Sequence, residues 1–216
     1  MAPSRWPAWI ERQLVRRGIT DERVLTAIAE VSRAPFVPHR FRDMAQADAP
    51  IRLGCLQTVS QPYIIALSLQ ALELTGRERV LDVGTGSGYQ AALLSRLARE
   101  VFTIEIVREL YSNSRLAIER HQQAPVHMRL GDGSVGWPEE APFDAIVVGS
   151  RAPRLPEPLV QQLTPGGRLV IPVGGESGQS LYRIQKLEDG TLKKKILERV
   201  LFVPLTGKEG TGAFPR

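Results

Sequence analysis

The segment VLDVGTGSGYQAALL (80–94) sets three glycines, Gly84, Gly86 and Gly88, between a short apolar run and an amphipathic one. Glycine there permits a tight turn and lets backbone N–H groups approach a ligand at a helix N-terminus, so the pattern predicts a strand, a turn and a helix built around a nucleotide-type ligand. A dinucleotide site would carry its third glycine at position 89, where this chain has Tyr89, which argues against a nicotinamide cofactor. A glycine-rich turn alone also occurs for purely structural reasons. Two carboxylates shift the balance. Glu105 ends the next apolar run, 21 residues beyond Gly84, the spacing at which an α/β nucleotide site offers a carboxylate to ribose hydroxyls. Asp132, in Gly131-Asp132-Gly133, follows a third run. An isolated Asp-Gly is usually only a turn, but three successive loops that each deliver a glycine or a carboxylate at a strand's carboxyl end point to one crevice.

The elements that must position these residues follow from periodicity. Apolar runs at 79–83, 101–106, 126–130, 144–149 and 167–173 alternate with amphipathic segments at 89–100, 107–122 and 156–163, which predicts an α/β protein with a parallel sheet covered on both faces. After Gly175 the pattern turns β-rich: 180–187 and 195–205 flank Asp189-Gly190, an antiparallel pair on the sheet edge. Before residue 75 the spacing is helical. Two short helices open the chain, the second with Thr20 as its expected cap. A Pro-punctuated stretch (33–41) follows, then an irregular segment from Asp48 to Ser60, then a buried helix over 62–74 begun by Pro62. The expected organisation is a single domain over 1–216: an N-terminal helical extension (1–75), to which the resemblance given below adds a substrate-binding role, folded onto a core with C-terminal strands (76–216).

Composition narrows the classes. A chain of 216 residues, 43% hydrophobic and 24% charged, buries a sizeable core and is not disordered. No window approaches the roughly 18 uninterrupted apolar residues of a membrane span, and the opening segment lacks a signal peptide's apolar stretch, so a cytoplasmic protein without a membrane partner is expected. Cys55 is the only cysteine, which excludes an internal disulfide and a Cys-pair zinc site; no metal is expected. The net charge of +5 comes with cations that are mostly Arg, read as scattered over a solvated surface, and Lys193-Lys194-Lys195 beside the Asp189-Gly190 turn reads as a solvated hairpin edge. A nucleic-acid-binding module is disfavoured, because no dense basic run accompanies aromatic residues and no Asn-Pro-Pro-Tyr motif is present.

With these motifs in place, the sequence resembles the class I S-adenosylmethionine-dependent methyltransferases, whose glycine turn, acidic second-strand end and acidic third loop match 82–88, Glu105 and Asp132. Within that class, QTVSQPY (57–63), GTGSGYQAALL (84–94), GDG (131–133), PFDAIVV (142–148), GGRLVIPVG (166–174) and FVPLTGKE (202–209) resemble the protein-L-isoaspartate O-methyltransferase family, as does RAPFVP (33–38). The resemblance implies a Rossmann-like three-layer αβα methyltransferase fold with an N-terminal helical extension and a β-rich C-terminal end. It implies S-adenosyl-L-methionine as cofactor, held by Asp82, Gly84, Thr85, Gly86, Gly88, Glu105, Asp132 and Gly133. Ser60 matches the family's active-site serine, and Thr58, Val59, Ser60 and Thr206 fall on the substrate side. Arg52, Leu56 and the 149–153 segment depart from the family pattern, which bears on substrate preference more than on cofactor use.

The implied reaction methylates the α-carboxylate of L-isoaspartyl residues in damaged proteins and so starts repair through a succinimide. That carboxylate is ionised at neutral pH, its reference pKa being about 3.3–3.7, so it needs positioning and desolvation rather than a strong base. His39, His121 and His127 are accordingly read as surface or loop residues. Ser60 has one donor with which to orient the carboxylate; it also has the spacing of an N-cap for the helix after Pro62, and both roles can coexist. Discriminating isoaspartate from aspartate turns on where one methylene sits, and backbone hydrogen bonds from 48–60 are the plausible discriminator. A related carboxyl methyltransferase that modifies aspartate in a dedicated peptide shares every cofactor motif and stays open. The expected partners are isoaspartyl-containing proteins and peptides, without nucleic acid, and the expected state is a monomer.

Overall fold

The computed structural model describes residues 5–211. Two short helices, α1 (Ala8–Gln13) and α2 (Glu22–Glu30), open the chain. The cap of α2 is Asp21, not Thr20: its carboxylate accepts from the N–H groups of Arg23 and Val24, while Thr20 gives its own N–H to the Gln70 side chain. An Asp at that register reaches the second and third helical N–H groups, and its charge meets the positive end of the helix.

The stretch expected to be irregular contains an antiparallel hairpin, β1 (Ile51–Gly54) and β2 (Gln57–Val59). Its turn residues Cys55 and Leu56 both have positive φ, 49° and 57°, the conformation of a type I′ turn. That turn ordinarily uses Asn or Gly, so the sequence carried no signal for it. α3 (Pro62–Ala71) follows with Pro62 in its first turn, as expected.

The apolar runs then form β3 (Arg79–Val83), β4 (Glu100–Glu105), β5 (Val126–Leu130), β6 (Phe143–Val148) and β7 (Leu163–Gly175), all parallel. Between them lie α4 (Tyr89–Leu97), α5 (Arg108–His121) and the short α6 (Glu157–Gln161). β8 (Gly178–Lys186) and β9 (Leu192–Val200) complete the edge antiparallel, giving a sheet of order β5-β4-β3-β6-β7-β8-β9. β3 feeds β4 on one side and has β6 on the other, so the order reverses at β3, where such folds open a crevice at the strands' carboxyl ends. β9 begins and ends earlier than expected because the Asp189-Gly190 turn is tight: Leu187 donates to the Thr191 carbonyl and Leu192 already pairs with Lys186.

Successive residues of the central strands face opposite layers, and both layers are apolar. Val80, Val101, Ala145 and Val170 join one cluster with α3, α4 and the N-terminal helices; Leu81, Phe102, Ile146 and Leu169 join another with Leu159 and Val160. That two-sided burial is why the strands read as continuous apolar runs.

Several arginines expected on a solvated surface instead satisfy carbonyls at the C-terminal ends of α3 and α4 or in the turn just after α3. Arg23 donates to Leu74 and Leu97, Arg168 to Leu72 and Glu73, and Arg183 to Ala71. A guanidinium there fills carbonyls that the helix leaves unpaired and sits at its negative end. Lys193, Lys194 and Lys195 are exposed on β9, the edge strand, as the hairpin reading expected.

Candidate active site

The crevice at the switch point is walled by the ends of β3, β4 and β6, the loop after β5, the β2 strand and the chain's C-terminal segment. The β3–α4 turn enters it with Gly84, Gly86 and Gly88 at φ 90°, 56° and 86°. Gly84 faces open space: an added Cβ would meet nothing closer than Ser150 Oγ at 3.9 Å. Gly88 serves packing, since a Cβ there would lie 2.7 Å from Ile118 of α5. Gly84 and Gly86 line the crevice; Thr85 lines the adjoining pocket on the Ser60 side and bonds Thr103 Oγ1 at 2.6 Å.

Glu105 forms the opposite wall and is 4% exposed. Its two oxygens accept the N–H groups of Gly86 and Val107 at 2.8 and 2.9 Å. Burial pushes its pKa above the ordinary glutamate value, against the lowering effect of those backbone donors.

Asp82 lies one layer behind the turn and is fully buried. Its carboxylate accepts from Gln90 Nε2 at 2.8 Å and Thr103 Oγ1 at 2.9 Å, and burial pushes its pKa up to about 6. It therefore braces β3, β4 and the start of α4 rather than lining the crevice.

Asp132 also works through protein contacts. It accepts from the Ser134 N–H and hydroxyl at 2.8 and 2.7 Å and from the Lys208 N–H at 2.8 Å, while Ser134 Oγ accepts from Glu209. Gly133 is on the crevice wall. These bonds tie the loop after β5 to the C-terminal segment, which Arg151 holds from the other side through backbone bonds with Val203 and Leu205. Pro204, Leu205 and Thr206 thereby reach the crevice.

Thr58 faces the same crevice from β2, and Thr58, Val59 and Ser60 share the adjoining pocket with Gly84, Gly86 and Gln90. Ser60 is not the cap of α3. That position is Gln61, and the carboxylate of Asp48, from an earlier loop, accepts the Tyr63 N–H at 3.1 Å and the Gln61 side chain at 2.7 Å. No described residue makes a hydrogen bond with Ser60 Oγ, and Ser60 opens onto a groove with Ile64, Phe202 and Leu201, the last 86% exposed. The histidines lie elsewhere: His127 pairs with Glu100 and stacks on Phe102, and His121 bonds the Ala117 carbonyl.

Sequence reasoning did not single out Asp48, Gln90, Thr103 or Arg151. Each acts through a partner on another element of the fold, and none stands in a recognisable spacing.

A glycine turn, an acidic second-strand end and a switch-point crevice on a seven-stranded sheet whose last two strands are antiparallel define the Rossmann-like methyltransferase fold. The family model described as Protein-L-isoaspartate(D-aspartate) O-methyltransferase (PCMT) matches residues 8–210, and the chain belongs to that family. It is 49% identical over 201 residues to the protein-L-isoaspartate O-methyltransferase of Trichlorobacter lovleyi, covering 93% of each chain. It is 52% identical over 198 residues to that of Myxococcus xanthus, covering 90% of this chain and 93% of the other. Among solved structures it resembles a putative protein-L-isoaspartate O-methyltransferase from Plasmodium falciparum in complex with S-adenosyl-L-homocysteine, with TM-score 0.80 and 30% identity over 92% of this chain and 96% of that one. No helix among the described residues is long and apolar enough to cross a membrane.

Proposed function

We propose that this protein transfers a methyl group from S-adenosyl-L-methionine to the α-carboxylate of L-isoaspartyl residues in damaged proteins. The observation that carries the reading is that Thr58 shares the crevice with the glycine turn and Glu105, while Val59 and Ser60 share the adjoining pocket with the same turn.

The residues present suit the cofactor. The outward face of Glu105 offers acceptor lone pairs for ribose hydroxyls, Gly84 leaves its side of the turn open, and Gly133 lets the loop after β5 pack close onto Val83, where a Cβ would lie at 2.8 Å, as it forms the crevice wall. When bound, the sulfonium supplies an activated methyl group. The chain's own contribution is positional. Ser60 Oγ, with no internal partner, donates to one carboxylate oxygen and aims the other. Thr206 and its neighbours shield the crevice from water, which strengthens that hydrogen bond. No general base is required, and no histidine reaches the site. The exposed groove of Ile64, Leu201 and Phe202 gives an extended peptide an apolar bed beside Ser60. The enzyme is read as a cytoplasmic monomer whose partners are its damaged substrates, without nucleic acid or membrane.

Ser60→Ala tests the assignment. Turnover on an isoaspartyl peptide falls on the order of 100-fold while S-adenosylhomocysteine affinity stays within about twofold. Full turnover in this variant would remove Ser60 from the reaction.

A further inference from the structure

Arg33 is 5% exposed, and among the described residues it forms no ion pair. Its guanidinium instead donates to five backbone carbonyls: Nη1 to Ala45 and Ala47 at 3.2 and 3.3 Å, and Nη2 to Ala49, Val59 and Ser60 at 3.0, 3.2 and 2.8 Å. The nearest carboxylate, Asp48, is committed to Arg17, Gln61 and the Tyr63 N–H. A buried cation held only by carbonyl dipoles is costly, and here burial lowers its pKa to about 10, which leaves it charged at neutral pH. Such a group is retained where its geometry matters.

The geometry is specific to Ser60. The Val59 and Ser60 carbonyls belong to the two peptide planes on either side of the Ser60 Cα. Holding both on one nitrogen restrains φ and ψ of Ser60, and with them the direction of its Cα–Cβ bond. The Ala47 and Ala49 carbonyls, one residue before and one after Asp48, tie the neighbouring loop to the same guanidinium, and Asp48 holds the first turn of α3 just beyond Ser60. One planar group thus places both sides of the serine in a single frame.

We propose that Arg33 is a positioning residue for methyl transfer, setting the aim of Ser60 Oγ without touching substrate. The inference rests on the assignment of Ser60 as the group that orients the substrate carboxylate. Arg33 has the fixed fork needed to span five acceptors; a lysine ammonium, a single point with three donors, cannot hold the two carbonyl sets together.

The test is a double-mutant cycle of Arg33→Lys and Ser60→Ala, read by turnover on an isoaspartyl peptide and by calorimetric affinity for S-adenosylhomocysteine. Arg33→Lys is expected to lower kcat roughly 10- to 100-fold, since misplacement near 1 Å costs about that much, with S-adenosylhomocysteine affinity within about twofold. In the Ser60→Ala background the same change costs nothing further, because the group it aims is gone. Losses that multiply, or affinity for S-adenosylhomocysteine that falls with turnover, would make Arg33 a structural residue only and overturn the inference. So would full turnover of Arg33→Lys beside an impaired Ser60→Ala, which leaves the Ser60 assignment standing; full turnover of Ser60→Ala defeats that assignment and this inference with it. Should Arg33→Lys fail to fold, amide hydrogen exchange on the wild type decides. The 58–61 amides are equally protected with and without peptide if the guanidinium has already fixed them, and protection gained only with peptide would overturn it.

Discussion

Glu105 Oε2 accepts the Gly86 N–H at 2.8 Å, so the acidic end of β4 helps hold the glycine turn after β3, beside the Ile104 carbonyl that accepts the Gly84 and Thr85 N–H groups. The carboxylate thereby does two jobs: it shapes the turn on its inner side and presents acceptors to the crevice on its outer side.

Glu105→Ala is therefore expected to weaken S-adenosylmethionine binding by about 10- to 100-fold, since a hydrogen bond to a charged acceptor is worth about 1.5–3 kcal/mol. The pH dependence follows from burial, which raises the Glu105 pKa. Protonation removes acceptors, so affinity declines as pH falls through that raised value, earlier in an acid titration than for an ordinary carboxylate. Calorimetry from neutral to mildly acid pH checks both; unchanged affinity in the variant would place the ribose elsewhere.

Asp82 gives a stability signature of the opposite sign to that of a salt-bridged acid. Burial lifts its pKa from the ordinary 3.8 to about 6 in the folded protein, so between these values the folded state binds a proton that the unfolded state has lost. Its contribution to stability is largest below about pH 4, declines as pH rises to about 6 and is flat above. Asp82→Asn removes the decline: relative to wild type the variant gains on the order of 2–3 kcal/mol between pH 4 and 7. Urea unfolding of both proteins at several pH values measures the difference, and parallel curves would contradict it.

The sheet was readable because β3, β4 and β6 bury both faces, which makes each a continuous apolar run, and because glycine and carboxylate recur where successive parallel strands end. The residues of the site itself were readable by motif, but not their division of labour. Asp82 and Asp132 stand in cofactor motifs, yet their carboxylates meet protein donors at 2.7–2.9 Å, and nothing in a linear spacing distinguishes an acid facing a ligand from one facing Thr103 or Lys208. The capping of α3 by Asp48 escaped because the accepting carboxylate lies fifteen residues before Tyr63, across a hairpin whose positive-φ turn is carried by Cys55 and Leu56. The role of the arginines escaped for the same reason: their acceptors are carbonyls, which have no sequence signature.

Gly207 should prove intolerant of a side chain. It has φ 125°, and a Cβ there would overlap the Asp132 carboxylate that holds the Lys208 N–H. Gly207→Ala is expected to release the 204–209 segment from the crevice at a local cost of about 1–3 kcal/mol, lowering turnover roughly tenfold while the melting temperature changes little. Limited proteolysis, with cleavage after Lys208 faster in the variant, reports the release; identical digestion and turnover would mean that the segment does not need this contact.

The specificity for isoaspartate is decided by offering wild-type enzyme and labelled S-adenosylmethionine to two peptides that differ only in an isoaspartyl or an aspartyl linkage at one position. A base-labile methyl ester is expected on the isoaspartyl peptide, which closes to the succinimide, with labelling of the aspartyl twin lower by about two orders of magnitude or more. Equal labelling of the two, or preference for the aspartyl peptide, would contradict it and identify a carboxyl methyltransferase that modifies ordinary aspartate.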